Sequence, residues 1–314
     1  MSLTGPLAAP GAGTGRSGRV GLMLRGMGRT AGPVLAVVAA LFVIWYAAAV
    51  WMNSQWTLDQ AARADRTVTF SEIVADTLNQ DRPKLPAPHQ VAVELYDTVL
   101  DKPVTSRRSL VFHAWITLSA TLTGFAIGTV LGMLLAVGIV HNRAMDMSVM
   151  PWAIASQTIP ILAIAPMIIV VLNSVGVQGL LPKAIISAYL SFFPVVVGMV
   201  SGLRSPETQQ LDLMKTYSAS DGQVFWKLRL PASMPYLFAS LKVAIAASLV
   251  GAIVGELPTG AVRGLGARLL SGSYYGQTVQ IWSALLMAAA CAAAMVGIVG
   301  LIQRVVLRRM GMER

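Results

Sequence analysis

The sequence predicts an all-α, polytopic membrane protein with about six transmembrane helices, and three observations predict it. Hydrophobic residues make up 55% of the chain and charged residues only 12%, about half the charged share of a soluble domain. Several apolar runs reach the roughly 20 residues that cross a bilayer. The runs are continuous rather than alternating, so they read as helices and not as strands of a barrel.

The same composition excludes other classes. A net charge of +10 would suit nucleic acid, but the charges sit between the apolar runs, where they set membrane topology instead. Bilayer lipid, not nucleic acid, is the expected partner. The single cysteine, Cys291, lies in an apolar run and reads as a small packing residue. His89, His113 and His141 are scattered, and neither a metal-ligand spacing nor a nucleophile–base pair recurs. No catalytic residue, metal or cofactor is therefore assigned.

Taken in order, residues 1–32 carry Arg16, Arg19, Arg25 and Arg29 among Gly, Ala and Pro, with no acid, and read as a disordered cytoplasmic tail. The first span is 33–52. Ala47-Ala48-Ala49 would fit a signal-peptide cleavage site, but the run is long for a signal, which favours a retained anchor. Residues 53–108 are polar, with eight acids and seven bases, and form a periplasmic segment. Within it, Phe70, Ile73, Val74 and Leu78 share one face of a helix over 69–78, expected on the outer surface of the domain. After Leu85-Pro86-Ala87-Pro88 a second amphipathic run passes through Val91, Leu95 and Val99.

The second span, 110–140, repeats Gly124, Gly128 and Gly132 every fourth residue. Such a stripe lets another helix approach closely, within the chain or across a dimer. A short polar turn, His141-Asn142-Arg143, follows. The third span, 152–172, is broken by Pro160 and Pro166, with Gln157 and Thr158 beside the first break. Proline-broken helices with polar neighbours line solute paths in some transporters and are mere kinks in others. The fourth span is 183–203. The fifth, 235–258, carries Lys242 near one end, within snorkelling reach of the headgroups. At its other end is Glu256, a carboxylate that is costly there unless paired or hydrated. Pairing and a place on the pathway are both open for it. Residues 259–280 form an outer loop and 279–306 the sixth span. Arg304, Arg308, Arg309 and Arg314 close the chain.

One charged stretch, 204–231, interrupts the spans: RSPETQQLDLMKTYSASDGQVFWKLRLP. Ser205-Pro206-Glu207 reads as a helix start, with a hydroxyl cap, proline in the first turn and an acid at the positive end. Ser220-Asp221-Gly222-Gln223 has capping-box spacing. Val224, Phe225 and Leu228 then share a helical face, and Pro231 is expected to end that helix. Two short capped helices, one exposing Leu211, Leu213, Met214 and Tyr217, suggest a docking surface for another protein; a solvated loop is the bland alternative.

The stretch resembles the cytoplasmic E-A-A loop of ABC importer permeases. That pattern runs E-A-A, three residues, Gly, about nine residues, an aliphatic residue, one more, then Leu-Pro. Here Asp212-Leu213-Met214 stands at E-A-A, Ser218 at the glycine, and Leu228, Leu230 and Pro231 at the end, while Ala219-Ser220 matches the common continuation. Asp keeps the charge, Leu-Met enlarges the contact, and Ser puts a Cβ where the family has none. The L-P-x-P segment resembles permeases of the sulfonate, taurine, nitrate and pyrimidine-precursor type, against which 53–84 is an insertion. Glu256 in G-A-I-V-G-E and the loop near Arg263, Gly264 and Gly266 also have counterparts in that family.

The resemblance implies a type I importer permease fold, with a transmembrane core over 109–307 that includes the coupling loop 204–231, and a cytoplasmic tail over 308–314. It implies ATPase coupling through Asp212, Leu213, Met214, Tyr217, Ser218, Ala219, Ser220 and Asp221. Gln157, Thr158, Pro160 and Glu256 become pathway candidates, and Gly124, Gly128 and Gly132 helix-packing positions. The implied partners are ABC ATPase subunits, a second permease, identical or not, and a periplasmic solute-binding protein. The chain has no G-x-x-x-x-G-K-[ST] motif, so ATP hydrolysis is expected in a separate subunit.

Charge placement gives the same orientation. With six spans and the N-terminus inside, the cytoplasmic segments hold thirteen Lys and Arg, whereas the short outer loops hold Lys183, Arg263 and Arg268. Arg107 and Arg108, outside, run against the trend. The expected location is the bacterial inner membrane with both termini cytoplasmic. An ATP-independent transporter or channel is the alternative, although no internal repeat supports it. A purely structural scaffold would leave Glu256 and the broken third span unexplained.

Overall fold

A computed structural model describes residues 16–258 and 263–312, with side chains from Gly32 onward. Its regular elements are helical. Among the described residues five helices are long and apolar enough to cross a membrane, or six when one bent pair is counted as a span. The residues up to Pro88 and those from His89 onward form two compact units.

In the first unit, α1 (Arg16–Arg63) contains the first span and runs past both of its expected ends. The part of 1–32 that is described is thus helical rather than disordered: once a long apolar helix is nucleated, each added residue gains a backbone bond. Residues 1–15 lie outside the described residues. Asp65, in the left-handed region at φ 52°, turns the chain into α2 (Phe70–Asn79). Thr69 precedes α2, and its amide donates to the Glu72 carboxylate at 2.9 Å, which holds that acid below the usual carboxylate range.

Polar bonds join α1 to α2 and to the segment after it. Asn53, fully buried, donates to the Leu85 carbonyl at 2.8 Å and accepts from the Lys84 and Leu85 amides. Thr57 donates to Asp76 at 2.6 Å, and Gln80 donates to Thr57 at 3.1 Å. Trp45 Nε1 donates to Pro86 at 3.0 Å. The expected amphipathic helix is present, with Phe70, Ile73, Val74 and Leu78 facing α1 across a groove.

The second unit starts with α3 (Pro88–Tyr96), which a π-helical turn extends to Asp101. Leu95 and Val99 pack on Leu110 and Leu265. The following helix, α4 (Leu110–His141), is the second span within one residue of expectation. The polar turn after it is a single residue. Asn142 caps α5 (Arg143–Ser156) by accepting from the Ala144 amide at 2.9 Å, so helix resumes at once.

The third span divides into α5 and α6 (Ile161–Ser174), bent by 101°. Pro160 makes the break because it lacks the N–H that would continue α5. Pro166 does not break α6.

Next comes α7 (Leu180–Leu203), the centre of the unit. On one side lies α4, whose glycine stripe faces it: a Cβ on Gly124 would come within 2.2 Å of Ser187 Cβ, and one on Gly128 within 2.2 Å of Ser191 Oγ. On the other lies α10 (Leu230–Glu256), where Gly198 and Gly202 of α7 meet Ser240 and Ser233. Serines lock the layers: Ser248 Oγ donates to the Thr121 carbonyl at 2.8 Å, and Ser187 Oγ to the Ser248 carbonyl. Close approach of small residues replaces the hydrophobic drive that lipid removes.

Between α7 and α10 the charged stretch holds α8 (Thr208–Thr216) and α9 (Asp221–Val224). The first begins later than expected. Ser205 donates to the Gly202 carbonyl at 2.7 Å, serving the end of α7. Glu207 takes the cap position instead, with its amide bonded to Gln210 Oε1 at 3.1 Å. Nor does Pro231 end the second helix. A π-helical turn, Phe225–Arg229, carries α9 into α10, and helix is unbroken from Asp221 to Glu256. The ladder there changes from five- to four-residue spacing, with Leu230 donating to Phe225, and Pro231 needs no donor beside that shift.

The loop expected over 259–280 contains α11 (Leu265–Tyr274), which the sequence reading missed. The last helix, α12 (Thr278–Arg309), is the sixth span and runs into the expected tail.

Candidate functional site

The charged stretch builds a firm, exposed corner. At the end of α8, Ser218 stands in the left-handed region at φ 53°. Its amide donates to the Lys215 carbonyl at 2.8 Å, and the Ala219 amide to Met214 at 3.0 Å. These are the two bonds of a Schellman cap, in which glycine is usual. The turn thus forms in spite of the Cβ on Ser218. Ser220 then caps α9 as expected: its amide donates to Gln223 Oε1 at 3.0 Å, and its Oγ accepts from the Gln223 amide at 3.4 Å.

The corner presents Leu213, Tyr217 and Trp226, which are 56%, 76% and 68% exposed. Met214 and Ala219 are half-buried, and Asp221 is exposed. Asp212 is bound to Lys215 at 3.0 Å in the open. Behind this face, the Phe225 ring meets His141 at the end of α4, and Arg229 donates to the Leu203 carbonyl at 3.5 Å. Arg204 and Asp146, 2.9 Å apart, join the end of α7 to α5. Large apolar groups stand exposed on a framework that is itself tied down.

A second group of residues gathers at the far end of α10. Glu256 is fully buried. The Gly266 amide donates to its Oε2 at 2.8 Å, and Thr117 Oγ1 donates to its Oε1 at 3.0 Å. Lys183 Nζ lies 3.7 Å from Oε1. Thr117 also accepts from the Leu265 amide at 2.8 Å. His113 accepts the Gly264 amide at Nδ1 across 2.9 Å and faces the Arg107 carbonyl with Nε2 at 2.9 Å. The first amides of α11, which no helical carbonyl can satisfy, thus bond to side chains of α4 and α10. Gly264 (φ 125°) fits only without a side chain, since a Cβ there would lie 2.2 Å from the Glu256 carboxyl.

Of the pathway candidates, Gln157, Thr158 and Pro160 lie exposed at the α5–α6 bend, where Thr158 bonds back to Ala155. The partners of Glu256 are on α4, α7 and the start of α11. A groove of about 460 Å³ beside them is bordered by Ser119, Gly179, Lys183 and Arg263.

Sequence reasoning missed His113, Thr117 and Lys183 as members of this cluster. A usable signal was present: Lys183 and Glu256 are opposite charges at the ends of two spans. On α11, burial lowers the Arg268 pKa, which Glu94 opposes, and burial raises that of Glu94 against the pull of Arg268.

Comparison with known proteins follows the same lines. The family described as "Binding-protein-dependent transport system inner membrane component" matches residues 128–312. A formylaminopyrimidine transport permease protein of Halalkalibacterium halodurans is 33% identical over 183 residues, 58% of this chain and 68% of the relative. A riboflavin transport system permease protein of Chloroflexus aurantiacus is 29% identical over 62% of this chain and 71% of its own length. A nitrate import permease protein of Synechocystis is 26% identical over 57% and 64%. With five candidate spans, or six when the bent pair is counted, and a matched region running from within α4 past the end of α12, the chain belongs to the inner-membrane permease components of binding-protein-dependent ABC importers.

Proposed function

We propose that the chain forms the translocation pathway of an ATP-driven importer and couples to a separate ATPase through residues 206–230. The observation that carries this reading is the corner at Ser218. Leu213, Tyr217 and Trp226 are exposed together on a segment closed by two caps and continuous, through the π-helical turn, with a membrane-crossing helix. A push on that face moves α10 as a rod, because helix is unbroken to Glu256. Asp212, Lys215, Asp221 and Lys227 at its rim set orientation more than affinity.

In this reading two permeases, two ATPase subunits and a solute-binding protein assemble, with the corner and both termini on the cytoplasmic face of a bacterial inner membrane. The glycine stripe of α4 packs the subunit internally. Gln157, Thr158 and Pro160 lie at the pathway, whereas Glu256, paired and buried, positions α11. The relatives' names point to small polar or heterocyclic solutes, such as nitrate, formylaminopyrimidine and riboflavin.

Uptake into membrane vesicles tests the reading. Transport should require ATP, and Asp212→Arg or Ser220→Pro should abolish ATP-driven uptake while membrane insertion is kept. Uptake that survives ATP depletion, or full coupling in both variants, would overturn it in favour of an ATP-independent transporter.

A further inference from the structure

The first unit carries an apolar groove of about 700 Å³ between α1 and α2. From α1 its wall is Val43, Ala47, Val50, Trp51 and Leu58, a stripe at helical spacing. From α2 it is Phe70, Ile73, Val74 and Leu78. Tyr46, Trp51 and Ser54 supply the only polar side-chain atoms of the lining. The walls are left open: Val43 is 68% exposed, Trp51 77% and Phe70 77%. An open apolar surface of this extent is unfavourable in water.

Continuity with the span identifies what covers it. The apolar stretch of α1 is only 6% buried, which suits a span whose surface meets lipid. Val43 lies nine residues before Met52, about 14 Å back along the helix, so one end of the groove opens at mid-depth in the hydrocarbon. The other end reaches Leu58 and Phe70, where Trp51 and Trp56 mark an aromatic belt. Beside it, a hollow shared by Trp51 and Ser54 is bordered by exposed Lys84, a cation placed for a phosphate headgroup. The polar face of α2, with Glu72, Ala75 and Asn79, is exposed on the opposite side.

We propose that this groove holds an acyl chain of a bilayer phospholipid, so that α2 is an interfacial helix lying in the leaflet that α1 enters. Residues 70–79 are then a membrane-surface element. The proposal rests on α1 being a span and not on the ATPase-coupling reading.

Spin labelling tests it on the full chain, because Cys291 is the only cysteine. In a Cys291→Ala background, Phe70→Cys and Ala75→Cys are labelled separately and the protein is reconstituted in phosphatidylethanolamine–phosphatidylglycerol bilayers. Both positions are exposed, so the labels do not disturb the Asn53 and Thr57 bonds, and circular dichroism checks that helix is retained. The label at Phe70 should show oxygen accessibility several-fold above its accessibility to a water-soluble nickel chelate, with the reverse at Ala75. Equal nickel access at both positions would overturn the proposal by making the groove water-facing. Exclusion of both reagents at Phe70 would also overturn it, because protein rather than lipid would then cover the groove.

Discussion

The Gly266 amide donates to Glu256 Oε2 across 2.8 Å, and this bond fastens the end of a membrane-crossing helix to the first turn of α11. With Thr117 and Lys183 on the same carboxylate, Glu256 is the point where four segments meet. Replacing Glu256 by Ala strands the Lys183 cation and frees a buried amide. Breaking a buried pair on one side costs about 3–5 kcal/mol. The double variant Glu256→Gln with Lys183→Met should lose less than the sum of its single variants. Thermal unfolding in detergent reads this coupling, and strictly additive losses would contradict it.

Gly264 should tolerate no side chain. Its φ of 125° and the 2.2 Å approach of a built Cβ to Glu256 act together, so Gly264→Ala should lower the unfolding midpoint about as far as Glu256→Ala. Gly276, at φ 64° with open space around it, is the control. There Ala should cost only the left-handed backbone penalty of about 1–2 kcal/mol. Equal losses at the two glycines would show that the contact with Glu256 is immaterial.

At the corner the two substitutions act in opposite directions. Ser218→Gly removes the left-handed penalty and should stabilise the turn by about 1 kcal/mol. Ser220→Ala removes the cap of α9 and should cost about the same. Hydrogen exchange at the Ala219 and Gln223 amides reports both: slower exchange in the first variant and faster in the second. No change in either would mean that the caps do not stiffen the segment.

Glu94 makes stability depend on pH. Burial raises its folded-state pKa above the unfolded value, with Arg268 and Lys102 opposing and Asp97 assisting. Its contribution is therefore fully present below the unfolded pKa of about 4.3 and is lost as pH rises through the folded pKa. Glu94→Gln should flatten the unfolding midpoint between acid and neutral pH relative to wild type. An unchanged slope would rule Glu94 out as its source.

Much of this architecture was legible because it rests on local chemistry. The spans follow from apolar length. The Ser220 cap follows from a hydroxyl three residues before Gln223, and the break at Pro160 from a missing N–H. Legibility failed where one local signal competed with another. Ser205-Pro206 has the composition of a helix start, yet the Ser205 hydroxyl serves the helix behind it. Pro231 looks like a stop, but a π-helical register shift absorbs it. It failed altogether where the partners are distant in sequence. Thr117 and Glu256 are 139 residues apart and His113 and Gly264 are 151 apart, and no periodicity connects them. α11 stayed hidden because the groups that satisfy its first turn come from other helices.

The most direct test of the coupling claim is co-purification of the tagged full chain from its native membrane, comparing wild type with the Asp212→Arg, Tyr217→Ala double variant. An ATPase subunit carrying a G-x-x-x-x-G-K-[ST] motif should accompany the wild type and be lost from the variant, while both insert equally. An ATPase retained at full occupancy by the variant would contradict docking on the α8–α9 corner.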